Sequence, residues 1–327
     1  MPPKSRWLRA LTASVFLFAA VQTPAFAQSA RTWVSSAGDD ANACDRTAPC
    51  RTFRGVYAKT SAGGEISVLD SGDYGSLIIY KSLTINNASR EAGVVASGGI
   101  TIQAGPADRI VLRGLTLPLS SGSQSSTLYF ITGASLLVEN CYLGPKSGIT
   151  FWPTGGAAKL TVRNTTVHSS GGRSESASPL LGYPGILIHP TDNASATVAL
   201  DNVRMVQNYY GIIADSTYTT GSISMSVRDS EITGSEIDGI LAKSKADGSV
   251  KITLEGSTVM NNGFGYFTAA GVEADGAGAL VRIRDSVVSE NRIGIRAVNG
   301  GIVESYGGNI VSGNSSNGAF SSTQKTQ

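Results

Sequence analysis

Charge is scarce in this chain. Lys and Arg number 26 and Asp and Glu 24 in 327 residues, so 15% of positions are charged, and no basic patch gathers them. That excludes the electrostatic footprint of a nucleic-acid partner. Long apolar runs are also missing beyond the N-terminus, where the stretch from Ala10 to Val21 is too short, with its flanks, to span a bilayer. No transmembrane segment is expected. Cysteine is limited to three residues and histidine to two, with no Cys/His spacing suited to zinc, so no metal centre or cofactor is expected.

What is present begins with an export signal. Lys4, Arg6 and Arg9 precede the apolar run and Ala25-Phe26-Ala27 follows it, which predicts a signal peptide over 1–27, cleaved after Ala27, and a secreted protein, periplasmic or extracellular. Without those three basic residues the formal charge moves from +2 to −1. Glycine is abundant, at 39 residues, alongside many Ser, Thr, Val and Ile. Gly supplies positive φ at turns, and the β-branched residues suit the strands between them.

An eight-residue phrase then returns seven times: IVLRGLTL (110 to 117), LLVENCYL (136 to 143), LTVRNTTV (160 to 167), VALDNVRM (198 to 205), MSVRDSEI (225 to 232), ITLEGSTV (252 to 259) and VRIRDSVV (281 to 288). Its first, third and eighth places are apolar, the fourth is charged, and the fifth is Asn, Asp or Gly. The period is about 27 residues, with one long interval between Leu160 and Val198, and belongs to a solenoid in which each unit buries its apolar face by stacking on its neighbours. Two-residue alternation up to a bend at the fifth place predicts strands. A second phrase follows most copies: GITF (148 to 151), GILI (185 to 188), GIIA (211 to 214), GILA (239 to 242), GVEA (271 to 274) and GIRA (294 to 297). Two strand phrases per coil predict an all-β, right-handed parallel β-helix.

The fourth place, continued into Glu304, reads Arg113, Glu139, Arg163, Asp201, Arg228, Glu255, Arg284, Glu304, alternating in sign at every step. On stacked coils about 4.8 Å apart these charges form an attractive ladder that fixes register. The repeated Asn or Asp at the bend (Asn140, Asn164, Asn202, Asp229, Asp285) is expected to satisfy backbone groups of neighbouring coils. Cys44 and Cys50, close together in a Gly/Asp/Asn/Pro-rich segment, are expected to form a disulfide, and Cys141, at the inward sixth place, to be a buried free thiol acting as a small apolar residue. Residues 51–64 place Phe53, Val56 and Tyr57 at helical spacing and end at a Gly pair, which predicts a short helix capping the first coil. The expected organisation is 1–27 signal, 28–65 first strand, disulfide turn and capping helix, 66–314 β-helix, and 315–327 a polar, frayed tail.

The segment WVSSAGDDANACDRTAPCRTF (33 to 53), followed by GGEISVLDSGDYG (63 to 75), resembles the opening module of secreted bacterial right-handed parallel β-helix proteins of the pectin-lyase-like superfold. The resemblance implies the fold over nearly the whole mature chain. It does not imply one function, because the superfold includes polysaccharide lyases, hydrolases, esterases, epimerases, adhesins and phage tail proteins. The Asn-Thr-Asp, Asp-Asp, Gly-His-Gly and Arg-Ile-Lys set of polygalacturonase-like hydrolases is absent apart from Asp39-Asp40 in the N-terminal turn. So are the clustered acidic ligands of calcium-dependent pectate lyases and the Gly-Gly-x-Gly-x-Asp calcium repeats.

Chemistry is left to the outward places of the second phrase. The third place reads Thr150, Leu187, Ile213, Leu241, Glu273, Arg296, and its aliphatic part calls for a cover. The long insertion 168–185, with Leu180, Leu181 and Tyr183, is the expected one. Two residues further, Trp152, His189, Asp215, Lys243 and Asp275 form a mixed line in which Trp152 suits a sugar ring, His189 or Lys243 a base, and the aspartates a hydroxyl or a cation. The structural alternative is a second ion-pair stack of Asp215, Lys243 and Asp275. Tyr209, Tyr210, Phe264, Tyr266 and Phe267, in turns before the second phrase, suit either sugar stacking or internal packing. The function expected is a non-catalytic extracellular or surface protein contacting glycans or other surfaces. The alternatives are a polysaccharide lyase or, less favoured, a hydrolase acting on a uronate-containing glycan, with Ca2+ relevant only to the lyase, and a purely structural surface protein.

Overall fold

The computed structural model describes residues 28–87, 94–95, 98–118, 126–144, 147–168, 184–245 and 247–324. The signal segment 1–27 lies outside them. Among the described residues the strands form two sheets, one of twenty strands and one of ten, and the pairings between successive coils are parallel. This is the right-handed parallel β-helix read from the repeat. In one coil, Ser195–Val206 runs along the larger sheet, bends at Asn202, and passes through a turn to Ile212–Asp215 in the smaller sheet.

Successive phrases stack place for place. Leu136, Leu160, Val198, Met225, Ile252 and Val281 are consecutive Cα partners. The first, third and eighth places therefore fill one continuous core: Leu160, Val162 and Val167 have no exposure. Each such side chain contributes about 1.5–3 kcal/mol on burial. At the bend, Asn140, Asn164, Asn202, Asp229 and Asp285 all have φ between 46° and 53°, which Asn and Asp tolerate better than other L-residues. Their role differs from the expected one. These side chains are exposed, and Asn202 Nδ2 donates to Asn164 Oδ1 at 2.9 Å, not to a neighbouring backbone. The conformation itself selects the residue type.

Backbone satisfaction falls to the sixth place. Ser230, Ser257 and Ser286 each accept an N–H from the preceding coil, at 3.1–3.2 Å, and donate to the carbonyl two residues back. Cys141 is buried and free, as expected, but it belongs to this hydroxyl ladder: its Sγ accepts from Leu115 N at 3.4 Å. Burial pushes its thiol up to about 11.

The charged ladder holds from Arg113 to Arg284. Pairs close at Arg113–Glu139 (2.8 Å), Arg163–Asp201 (3.9 Å), Arg228–Glu255 (3.6 Å) and Arg284–Glu255 (4.0 Å). Glu304 departs from it. Its Cα partner is Arg282, and the two side chains pair at 3.2 Å. Residues 282 and 284 both point outward, so alternation is equally satisfied by either; stacking Val303 on Val281 decides.

At the N-terminal end Cys44 and Cys50 form the disulfide, and Phe53–Lys59 is the capping helix, begun by Thr52, whose side chain accepts from Gly55 N. Phe53 and Val56 are buried. The helix stops before the glycines because Thr60 turns extended, donates to Val56 O, and meets Thr32 Oγ1 at 2.8 Å. At the other end the expected frayed tail instead continues the solenoid: Ser316–Gly318 pairs with Ile293–Val298, and Ser322–Thr323 with Ile302–Ser305. Polar residues serve here because the pairing is carried by backbone.

Candidate functional site

The outward side of the ten-stranded sheet carries the columns read from the second phrase. Thr150, Leu187, Ile213, Leu241, Glu273 and Arg296 are consecutive partners, as are Asp215, Lys243 and Asp275. Trp152 and His189 extend the second column, with ring centroids 4.6 Å apart, edge to face. The structure thus brings together all five residues of the mixed line.

His189 sits in an aromatic slot. Trp152 lies on one side and Tyr218, its ring 4.9 Å away and 62% exposed, on the other; Tyr129 stands 6.5 Å beyond Trp152. His189 is 8% exposed, and its buried Nδ1 has no hydrogen-bond partner among the described residues; the carboxylate oxygen Asp215 Oδ2 is 3.8 Å away. Burial pushes the imidazole below its usual range, Asp215 opposes this and Lys243 reinforces it, so the ring is neutral at pH 7. Asp215 Oδ1 accepts from Thr217 N and Asp275 Oδ1 from Asn299 Nδ2. Lys243 makes no hydrogen bond or ion pair with any described residue. The expected ion-pair stack is aligned in register, but among the described residues Lys243 closes no pair with Asp215 or Asp275.

Leu187, Ile213 and Leu241 point outward yet are buried under Tyr209, Tyr210, Ile237 and Ala269, with Tyr266 at the edge. The expected cover, with Leu180, Leu181 and Tyr183, falls in 169–183, outside the described residues. Tyr209 and Tyr266 join their hydroxyls at 2.9 Å, whereas Phe264 and Phe267 are exposed.

Beneath these tyrosines lies a group that sequence reasoning missed. Asp238 is 4% exposed, accepts from Ala270 N at 2.6 Å, and neighbours Glu273, whose carboxylate takes Arg296 Nη1 at 2.5 Å. Burial first, and then the Glu273 charge, push Asp238 up to about 8, so it carries its proton at pH 7. Burial also raises Glu273, against the Arg296 guanidinium. A signal was available. Asp238 is the residue before the Gly-Ile phrase, where other copies have Ser147, Pro184, Tyr210, Ala270 and Ile293, none of them ionised at pH 7. Among the described residues no three His, Cys, Asp or Glu side chains converge in a metal-binding group.

No protein-family model matches the chain, and no curated protein matches it in sequence. Similar solved structures include a rhamnogalacturonan lyase (14% identity, TM-score 0.47, 84% of this chain and 72% of that one) and the pectate lyase Pel9A (17%, 0.42, 84% and 68%). Another is the A-module of the mannuronan C-5 epimerase AlgE4 of Azotobacter vinelandii (10%, 0.41, 91% and 89%). These likenesses concern the fold alone. The parallel β-helix itself stands on the strand pairings of this structure.

Proposed function

We propose that this is an exported, extracellular glycan-binding β-helix whose ten-stranded face holds an acidic, uronate-containing polysaccharide. Trp152 and Tyr218 stack on sugar rings, and Lys243 meets a carboxylate. The observation that carries the reading is Lys243 itself: an ammonium that acts on Glu273 and His189 only at a distance and makes no hydrogen bond or ion pair with a described residue, two coils from an aromatic slot. An unpaired cation beside rings is suited to a ligand bearing both a negative charge and an apolar ring face. Export rests on the N-terminal signal and accords with the Cys44–Cys50 disulfide. No helix among the described residues is long and apolar enough to cross a membrane.

The test is affinity electrophoresis in gels containing polygalacturonate or alginate. Retardation of the wild type, reduced in both Trp152→Ala and Lys243→Met, is the expected result; equal mobility of all three proteins in every gel refutes the reading. Loss of one stacking ring weakens affinity about two- to tenfold.

A second reading, catalysis on the same face, is favoured by one observation. His189, a neutral imidazole whose buried Nδ1 makes no hydrogen bond with any described residue, stands against Trp152 and suits the base that takes the proton beside a uronate carboxylate. Asp238 does not supply the acid, because five residues along the strand and two coils, roughly 19 Å, separate it from His189. Absorbance of unsaturated products, with and without calcium, tests it. The described residues do not converge as a calcium ligand set, so no step is assigned to that ion.

A further inference from the structure

The bend of the twenty-stranded sheet forms a second groove, away from the ten-stranded face. Left-handed residues at the fifth place fold the sheet so that fourth-place side chains on one leg look across at seventh-place side chains on the other. One half-open stretch of about 580 Å³ is lined by Asn86, Arg113, Glu139, Asn140, Tyr142 and Asn164. Beyond Asn202 it continues as a hollow of about 410 Å³ beside Arg204, Asp229 and Glu231.

Three features define what such a groove takes. The wall charges are paired with one another, Arg113 with Glu139 at 2.8 Å and Arg204 with Glu231 at 3.0 Å, so little net field is left to draw in a polyanion. From Asn140 through Asn164 to Asn202 the floor is a row of three exposed amides, followed by the Asp229 carboxylate, and the side chain of Asn140 makes no hydrogen bond with any described residue; an amide offers donors and acceptors together. Tyr142 presents a ring that is 43% exposed. A polyanion or nucleic acid would need unpaired cations. A hydroxyl-rich neutral chain needs amides, paired polar groups and an apolar ring face.

We infer that the bend groove is a carbohydrate site for a neutral glycan, so that the protein holds two chemically different polysaccharides, one on each face. Two faces with separate charge character make it a cross-linker.

The test uses oligosaccharides prepared from xylan, cellulose and mannan, with binding followed by calorimetry. At least one is expected to bind the wild type, with an affinity insensitive to added salt. Tyr142→Ala is expected to weaken it about two- to tenfold. Asn140→Gly removes the amide while keeping the left-handed turn, and is expected to weaken it too. Trp152→Ala and Lys243→Met, on the other face, leave neutral binding unchanged. The inference is overturned if no neutral oligosaccharide binds, if binding survives Tyr142→Ala and Asn140→Gly combined with an unaltered melting curve, or if Trp152→Ala abolishes it. Should the groove variants misfold, competition decides: an acidic polysaccharide that displaces the neutral one from wild type points to a single shared face and also overturns it. Failure of the acidic-glycan reading shows separately, as absent retardation in the polygalacturonate and alginate gels.

Discussion

His189 Nδ1 and Asp215 Oδ2 stand 3.8 Å apart, close enough for charge to act and too far for a hydrogen bond. The imidazole is therefore influenced by Asp215 without being fixed by it, and its protonation reports the electrostatics of the whole column. Asp215 raises its pKa and Lys243 lowers it, both against a larger lowering by burial.

Titration of His189 by NMR is expected to fall below the ordinary histidine range. Asp215→Asn should lower it further, and Lys243→Met should raise it. Opposite signs would mean that the column is not arranged as described. Because the folded pKa is depressed, the unfolded chain takes up the proton first as pH falls, so this residue contributes stability that is full above the unfolded value near 6.5 and is lost as pH falls from there through the lower folded value.

Asp238 gives the opposite pH dependence. Its folded pKa is raised to about 8 from an unfolded value near 3.8, so the folded state holds a proton that the unfolded state releases. The stability is present below pH 3.8 and is lost as pH rises towards 8, by at most about 1.4 kcal/mol per pH unit. Asp238→Asn, which retains an acceptor for Ala270 N, should melt above the wild type at pH 8, and the gap should narrow at pH 5. A constant difference at both pH values would rule out a buried protonated carboxyl.

The ladder and its corrected end can be tested together. Arg228→Glu replaces attraction to Asp201 and Glu255 by repulsion, at an expected loss of about 1 kcal/mol that added salt reduces, since these side chains are largely exposed. Glu304→Arg should lose stability, and Arg282→Glu combined with it should restore stability, whereas Arg284→Glu should not. Rescue by Arg284→Glu in place of Arg282→Glu in thermal melts would reinstate the simple sequence register.

Cys141 is expected to resist thiol reagents until the chain unfolds, while Cys44 and Cys50 stay unreactive without a reductant. Cys141→Ser keeps an acceptor for Leu115 N and should be nearly neutral. Cys141→Val leaves that buried N–H without a partner and should cost about 1–3 kcal/mol. Equal stability of the two variants would return Cys141 to the role of a plain apolar filler.

The sequence alone determined the solenoid. Apolar first, third and eighth places, a left-handed-tolerant fifth place and alternating charge at the fourth are local properties, and in a repeat each local pattern must meet its own copy one coil away. Core and register between Arg113 and Arg284 followed, as did the line from Trp152 to Asp275. Tertiary structure decided what depends on which group reaches which. Glu304 could face Arg282 or Arg284 with the same alternation. The last polar residues could pair because edge backbone needs no apolar side chain. Asp238 became a proton-holding acid only when Tyr210 and its neighbours removed it from water beside Glu273. Register put Lys243 between Asp215 and Asp275, yet side-chain placement let Thr217 and Asn299 bond those aspartates while Lys243 closed no pair among the described residues. Periodicity fixes where side chains stand along a coil; desolvation and competition for partners, which fix what they do there, arise only when the turns are folded over the sheet.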